Sequence, residues 1–279
     1  MNEVRSYTKG INLKKGKGST RLSYTTRSVQ AFAFLVLALA LALSAPTPAA
    51  SADRFVYVSS GFPTSSNAVS ALRIGANGAL TPVSGSPFAT GVVSVGTAIT
   101  PDARNVYTAN IGSANVSGFA VAADGALSQL AGSPFPSETG TGPFAAAPSP
   151  DGRFLYVANH FNATIGVWAI DLTGGGGLSQ IAGSPFAIPA GQSSPFPVAA
   201  APDGGHIYVP NENSDTVTGY AVAADGALSP IQTIATDDNP FGAAITPDGK
   251  FLYVSNPLRA FARTTQPPSR RTRSMRTVS

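Results

Sequence analysis

The chain has 279 residues, and none of them is cysteine. That excludes a disulfide framework and any thiolate, whether as nucleophile or as metal ligand. It holds only two histidines, in different segments, which is far below the spacing and number of a zinc site. No glycine-rich loop opens a helix and no nucleophile elbow precedes one, so the sequence calls for no cofactor. The run Gly174–Gly177 follows an Asp and stands where a hairpin turn belongs. Charged residues make up only 11% of the chain against 43% apolar, which permits a large core and excludes general disorder.

Charge of one sign is missing in two places. Residues 257–279 carry six Arg and no acid, and residues 1–52 carry seven Lys/Arg against one acid. Between them, residues 53–256 hold five Lys/Arg against thirteen acids, a net of −8. The body is therefore acidic, and the overall excess of basic residues is no sign of nucleic-acid binding. The basic start precedes a thirteen-residue apolar run, Ala31 to Leu43, and small residues at Ala50 and Ala52. This pattern is that of a secretory signal, too short for a bilayer span of about 20 residues. Residues 1–52 are thus expected to be a signal peptide with a long basic leading region, unless the start codon is misassigned. Cleavage would leave no stable membrane span, and the expected location is secreted, extracellular or at the cell surface.

What is present is a repeat. "FAVAADGALSQ" (Phe119 to Gln129) and "YAVAADGALSP" (Tyr220 to Pro230) agree at nine of eleven positions across 101 residues. The segments "RFVYVSS", "RNVYTAN", "RFLYVAN", "HIYVPN" and "KFLYVSN" mark five copies, with Tyr57, Tyr107, Tyr156, Tyr208 and Tyr253 spaced 50, 49, 52 and 45 apart. The motif Gly-Ser-Pro-Phe recurs at Gly85, Gly132 and Gly183. One period predicts four strands, in the third copy near Phe144–Ser149, Arg153–Asn159, Thr164–Ile170 and Leu178–Gly183. Pro-Asp-Gly at Pro150, Pro202 and Pro247 supplies a preset φ, a local side-chain acceptor and a left-handed position. The second copy has Ala103 in place of that Gly, so its turn is less favourable. Asp124-Gly125, Asp225-Gly226 and Asn77-Gly78 read as two-residue hairpin turns. In "RFLYVAN" Phe154, Tyr156 and Ala158 share one face and Leu155 and Val157 the other, so this strand is buried on both sides.

Four-stranded antiparallel units of about 45–50 residues, stacked face to face, are the blades of an all-β propeller. A sandwich would not repeat its sequence at a fixed period. The Pro of Gly-Ser-Pro-Phe is expected to end the outer strand, and its Phe to pack between blades. With three strands in the first copy, four in each of the next three and two in the fifth, about four to five blades are present. After Asn256 the alternation stops. Residues 257–279 are expected to be an Arg-rich disordered tail, and a frameshift or fragment accounts best for a break in mid-repeat. An open arc leaves unsealed sheet edges, through which self-association is expected.

"LYVAN", "LYVSN" and "SPDGRFLYVANHFNATIGVWAID" resemble the lactonase family of seven-bladed propellers, which includes 6-phosphogluconolactonase and overlaps the YVTN-repeat surface proteins. The resemblance covers about residues 53–256. It implies a propeller with a Pro-His pair before the innermost strand, the His facing the channel. The matching positions here are Pro143-Phe144, Phe196-Pro197 in altered order, and Pro240-Phe241. Phe cannot act as a general base, so the family's catalytic His does not carry over in these copies.

The remaining candidates are loop residues. Asn110, Asn159, Asn211 and Asn256 close the second strands and are suited to capping a turn. His160 and Glu212 each directly follow one of them, at the same repeat position in neighbouring blades, where Ile111 and Pro257 stand in other copies. Equivalent loops of adjacent blades meet at the channel mouth, so His160 and Glu212 are the candidate catalytic pair, with Asn159 and Asn211 as ligand contacts. Two polar loop residues in separate hydrogen bonds are the plainer alternative. His206, after Gly-Gly at a strand start, reads as a surface residue. Asn115-Val116-Ser117 and Asn162-Ala163-Thr164 match the glycosylation sequon, a signal of low specificity. The expected function is a binding or surface-interaction module for a small carbohydrate or cell-surface ligand, without an intact catalytic site. The alternative is a hydrolase opening a sugar lactone. Only Arg54, Arg73, Arg104, Arg153 and Lys250 could hold a phosphate in the body.

Overall fold

In the second strand of each repeat, successive residues point to opposite faces, and both faces are apolar. A strand of this kind is stable only between two other layers. The computed structural model describes residues 53–60, 67–137 and 142–256, with the backbone of Thr277–Val278. The expected signal segment, residues 1–52, and most of the Arg-rich stretch after Asn256 lie outside the described residues. Within them the chain forms five successive antiparallel sheets, each made by one repeat. Blade three is representative, with strands Pro143–Pro148, Phe154–Asn159, Thr164–Ile170 and Leu178–Gln180 in spatial order. Blade four repeats that order with Ala199–Ala200, His206–Asn211, Thr216–Val222 and Leu228–Ala235. Blade five has Gly242–Ile245 and Leu252–Ser255, and Thr277–Val278 pairs with the latter. Among the described residues no helix is long and apolar enough to cross a membrane.

The two faces of Phe154–Asn159 divide as the alternation predicts. Phe154, Tyr156 and Ala158 join Ile207, Val209 and Tyr220 in one core between blades three and four. Leu155 and Val157 join Tyr107, Val116 and Trp168 in another between blades two and three. Similar cores unite blades one and two around Val69 and Val106, and blades four and five around Val217 and Leu252. Each fully buried side chain of this size contributes about 1.5–3 kcal/mol, so the gaps between blades, not the sheets themselves, hold the array together.

Hydrogen bonds reinforce these gaps. The Tyr57 hydroxyl donates to the Gly125 carbonyl at 3.0 Å, and the Tyr107 hydroxyl to that of Gly176 at 2.6 Å. Each bond links a second strand to the outer hairpin of the following blade. The run Gly174–Gly177 is thus a turn that also receives a neighbour's tyrosine. The outer hairpins differ from the expected two-residue form. Ala122 N–H donates to Ala126 O and Gly125 N–H to Ala122 O, which leaves a three-residue loop closed by Gly125 at φ +85°. A type I turn needs that left-handed residue to rejoin the strand twist.

The outer strand also departs from expectation at Gly-Ser-Pro-Phe, because the Pro does not end it. From the Phe of the motif onward, Phe186–Ala187 pairs again with the third strand, opposite Ile165 and Thr164. Across the gap the Ser184 hydroxyl accepts from Val167 N–H at 2.8 Å. Ser133 and Ser86 do the same for Gly118 and Ala71 in blades two and one. The motif is therefore a bulge in which a side-chain oxygen takes over a lost ladder contact. Its Phe packs as expected, with Phe88 and Phe186 against inter-blade cores.

Candidate functional site

Turns between first and second strands lie at one end of the blades. The loops between second and third strands lie at the other, together with the links that enter each innermost strand. This second end is the mouth. In four blades the link enters through a residue with positive φ: Val93 (55°), Gly142 (58°), Ser194 (55°) and Asn239 (53°). A β-branched residue there is strained, and repetition of the same conformation shows that the surroundings impose it. The carbonyls of Val93, Gly142 and Ser194 accept from the N–H of Ile111, His160 and Glu212 respectively. Link and loop are thereby fastened together in blades two, three and four.

Directly after this point the innermost strand bulges. Pro143 pairs with Asn159 but Ala145 with Ala158, so Phe144 is an extra residue. In blade two Val95 is extra between Ser94 and Gly96. In blade four Pro195 bridges Asn211, which makes Pro195 the equivalent of Pro143. The family comparison is therefore corrected: the pair is Pro195-Phe196 in ordinary order, not Phe196-Pro197. A second proline one residue later obscures this in the sequence.

In blades three, four and five the residue after the entering proline is a phenylalanine, and the three rings stand in a row. Ring centroids of Phe144 and Phe196 lie 4.5 Å apart, and those of Phe196 and Phe241 4.2 Å apart, both tilted. Phe196 is buried, whereas Phe241 is 48% exposed and Phe161, on the loop of blade three, 65% exposed. His160 stands at the centre of this cluster, with its ring 5.6 Å from Phe144, 5.5 Å from Phe161 and 5.4 Å from Phe196.

The structure also brings His160 and Glu212 together, with Nε2 3.8 Å from Oε2. That separation exceeds a hydrogen bond and fits an ion pair when the imidazole is protonated. His160 Nδ1 is buried and has no hydrogen-bond partner among the described residues. Asn159 and Asn211 lie beneath, almost wholly buried. Asn159 donates to Thr164 Oγ1 at 3.0 Å, and Asn211 to Thr216 Oγ1 and Thr218 Oγ1 at 3.1 and 3.0 Å. These bonds close the loop between second and third strands. The Oδ1 atoms of both are buried and without a partner among the described residues, as is that of Asn110 in blade two. An imidazole beside a carboxylate, with aromatic faces around it, can accept a proton or hold a hydroxyl.

Charge is divided between the two ends. Arg54, Arg73, Arg104, Arg153 and Lys250 all lie at the end away from the mouth, most of them paired with Asp53, Asp102, Asp151 and Asp248. Among the described residues the mouth end carries Glu212, Asp215, Asp237 and Asp238 and no Lys or Arg. Six-residue strands separate the ends by about 17–20 Å, more than two Debye lengths at physiological ionic strength. The distant cations cannot neutralise the mouth. Sequence reasoning missed both this polarity and the aromatic row. Their signals were there: every cation adjoins a turn between strands, and Pro-Phe recurs in three blades.

His206 belongs to the opposite end, where Nδ1 lies 3.0 Å from Asp203 Oδ2. Burial alone would raise the Asp203 carboxyl, but the bond to His206 and backbone N–H donors hold it below the ordinary carboxylate value. A cleft of about 430 Å³ opens nearby, between blades three and four. Its one guanidinium, Arg153, is committed to Asp151 and to the Ala224 carbonyl. That cleft therefore offers no uncommitted chemistry, and the mouth is the better candidate. Among the described residues no group of three or more His, Asp and Glu could hold a metal.

Comparison with known proteins agrees with this architecture. The sequence model of the family described as "Lactonase, 7-bladed beta-propeller" matches residues 4–256. Among solved structures, a protein from Lactobacillus plantarum superposes with a TM-score of 0.64 at 27% identity, covering 74% of this chain and 61% of its own. The periplasmic gluconolactonase of Pseudomonas aeruginosa superposes with a TM-score of 0.64 at 23% identity, covering 73% and 60%. The chain thus spans about three fifths of the length of these relatives. No curated protein matches significantly.

Proposed function

The chain belongs to the lactonase family of seven-bladed β-propellers, and from that premise we propose that it is an exported module that binds a small ligand at the propeller mouth without turning it over. The observation that carries this reading is the aromatic row. At the positions where the family resemblance places histidine, three successive blades hold Phe144, Phe196 and Phe241, with Phe196 in contact with the other two. A benzyl side chain neither takes a proton nor polarises a carbonyl, but it offers a flat face to a ligand ring. The phosphorylated sugar lactone suggested by the family is disfavoured, because this end of the blades carries four carboxylates and no described Lys or Arg. Export is supported by the apolar run with its basic flank.

The second reading is lactone hydrolysis with His160 as base and Glu212 orienting it, and the 3.8 Å approach of that pair favours it. Calorimetric titration of the full chain with a panel of sugar lactones and neutral glycans tests the choice. Binding that Phe241→Ala abolishes, with the ligand recovered unchanged, is expected. No binding, or binding indifferent to Phe241→Ala, overturns the proposal. N-terminal sequencing of the exported protein should begin at Asp53, and a cytosolic chain retaining Met1 would refute export.

A further inference from the structure

The mouth combines features that select among ligands by charge. Phe161 and Phe241 present exposed rings, whose faces carry the negative end of the aromatic quadrupole. Phe241 is held by its neighbour Phe196 at 4.2 Å, so its face is set before any ligand arrives. Beside the cluster stands the Glu212 carboxylate, whose contact among the described residues is His160 at 3.8 Å. Asp215, Asp237 and Asp238 share this end.

Ring faces and carboxylates both favour positive charge or N–H donors. An anion meets repulsion from every one of them. A neutral sugar gains from the ring faces alone, whereas an ammonium gains from the rings and the carboxylate together. We infer that the mouth takes an organic ammonium group, either an alkylammonium or the amine of an amino sugar. The inference rests on the reading that the ligand binds at the mouth, and it names the class of that ligand.

The test titrates the full chain, at constant ionic strength, with tetramethylammonium, glucosamine, glucose and glucose 6-phosphate. Binding is expected for tetramethylammonium, glucosamine or both, and which one binds identifies the source of the ammonium. Glucose should bind at least about tenfold more weakly, and glucose 6-phosphate not measurably. Phe241→Leu keeps apolar bulk but removes the ring face, and Glu212→Gln removes the charge. Each should weaken ammonium binding by about tenfold. If glucose binds as well as glucosamine and both respond to Phe241→Leu, the mouth reading stands and the ammonium inference falls. If no probe responds to either substitution, both fall.

Discussion

The docking of blade on blade can be tested at one glycine. Gly226 closes the outer hairpin of blade four at φ +90°, and a Cβ there would lie 2.7 Å from the Phe154 ring of blade three. Left-handed backbone costs an L-residue about 1–2 kcal/mol. Phe154 is buried in the core between these blades, so displacing it adds an overpacking cost of about 1–3 kcal/mol. The lower entropy of the unfolded chain returns about 0.4–1 kcal/mol. Gly226→Ala should therefore destabilise by about 2–4 kcal/mol. Gly204→Ala is the control, because Gly204 has φ +71° and nothing within 4 Å of its would-be Cβ. It should cost about 1 kcal/mol or less. For a domain of this size the difference between the variants corresponds to a Tm gap of about 4–8 °C. Trp168, the single tryptophan, is buried between blades two and three, so its fluorescence during thermal unfolding reports the neighbouring gap. Equal Tm values for the two variants would refute the idea that the hairpin glycine is reserved for a neighbour's ring.

Further outcomes follow from the turns and the buried tyrosines. Ala103 sits at φ 58° where the other repeats have glycine, so Ala103→Gly should stabilise by about 0.5–1 kcal/mol, measured as a raised urea midpoint. The Thr100 hydroxyl holds the Asp102 carboxyl below its ordinary value, and that of Thr246 does so for Asp248. Such depressed groups stabilise the fold above their unfolded pKa, near 4, and the contribution is lost as pH falls through the folded value. Asp102→Asn combined with Asp248→Asn should accordingly flatten the acid limb of a Tm-against-pH curve, and an unchanged limb counts against this origin. Burial pushes the Tyr156 hydroxyl up to about 12, with a smaller contribution from Asp151. Its share of stability is complete below about pH 10 and is lost as pH rises towards 12, so tyrosinate absorbance should appear together with alkaline unfolding. Absorbance from every tyrosine near pH 10, with the fold intact, would contradict it.

The blade was legible because strand alternation and repeat period are local properties of the chain. The two faces of "RFLYVAN" fall into two cores as alternation requires. The approach of His160 to Glu212 was legible for a related reason: equal repeat positions in adjacent blades must meet in a ring. Features that depend on one inserted residue were not. Phe144 reaches the mouth through a bulge, and a bulge leaves no mark in the period. The register of Pro195-Phe196 was lost because two prolines flank the same Phe. The outer strand was read as ending at Gly-Ser-Pro-Phe because a missing N–H usually ends a ladder, whereas here Ser184 replaces the contact and pairing resumes. Asn159 and Asn211 were expected both to cap turns and to contact ligand. Their amides are spent on loop closure and their side chains are buried, so the structure bears out the turn role and gives neither a surface for a ligand.

The central claim is that the mouth binds without catalysing, and proton release tests it most directly. Opening of a lactone liberates one proton, so a pH-stat or indicator assay with glucono-1,5-lactone and the intact protein measures turnover above the spontaneous rate. No acceleration is expected, because the positions that would supply the base hold Phe144, Phe196 and Phe241. Acceleration that disappears in His160→Ala and falls in Glu212→Gln would contradict the account and make the pair 3.8 Å apart a working catalytic dyad.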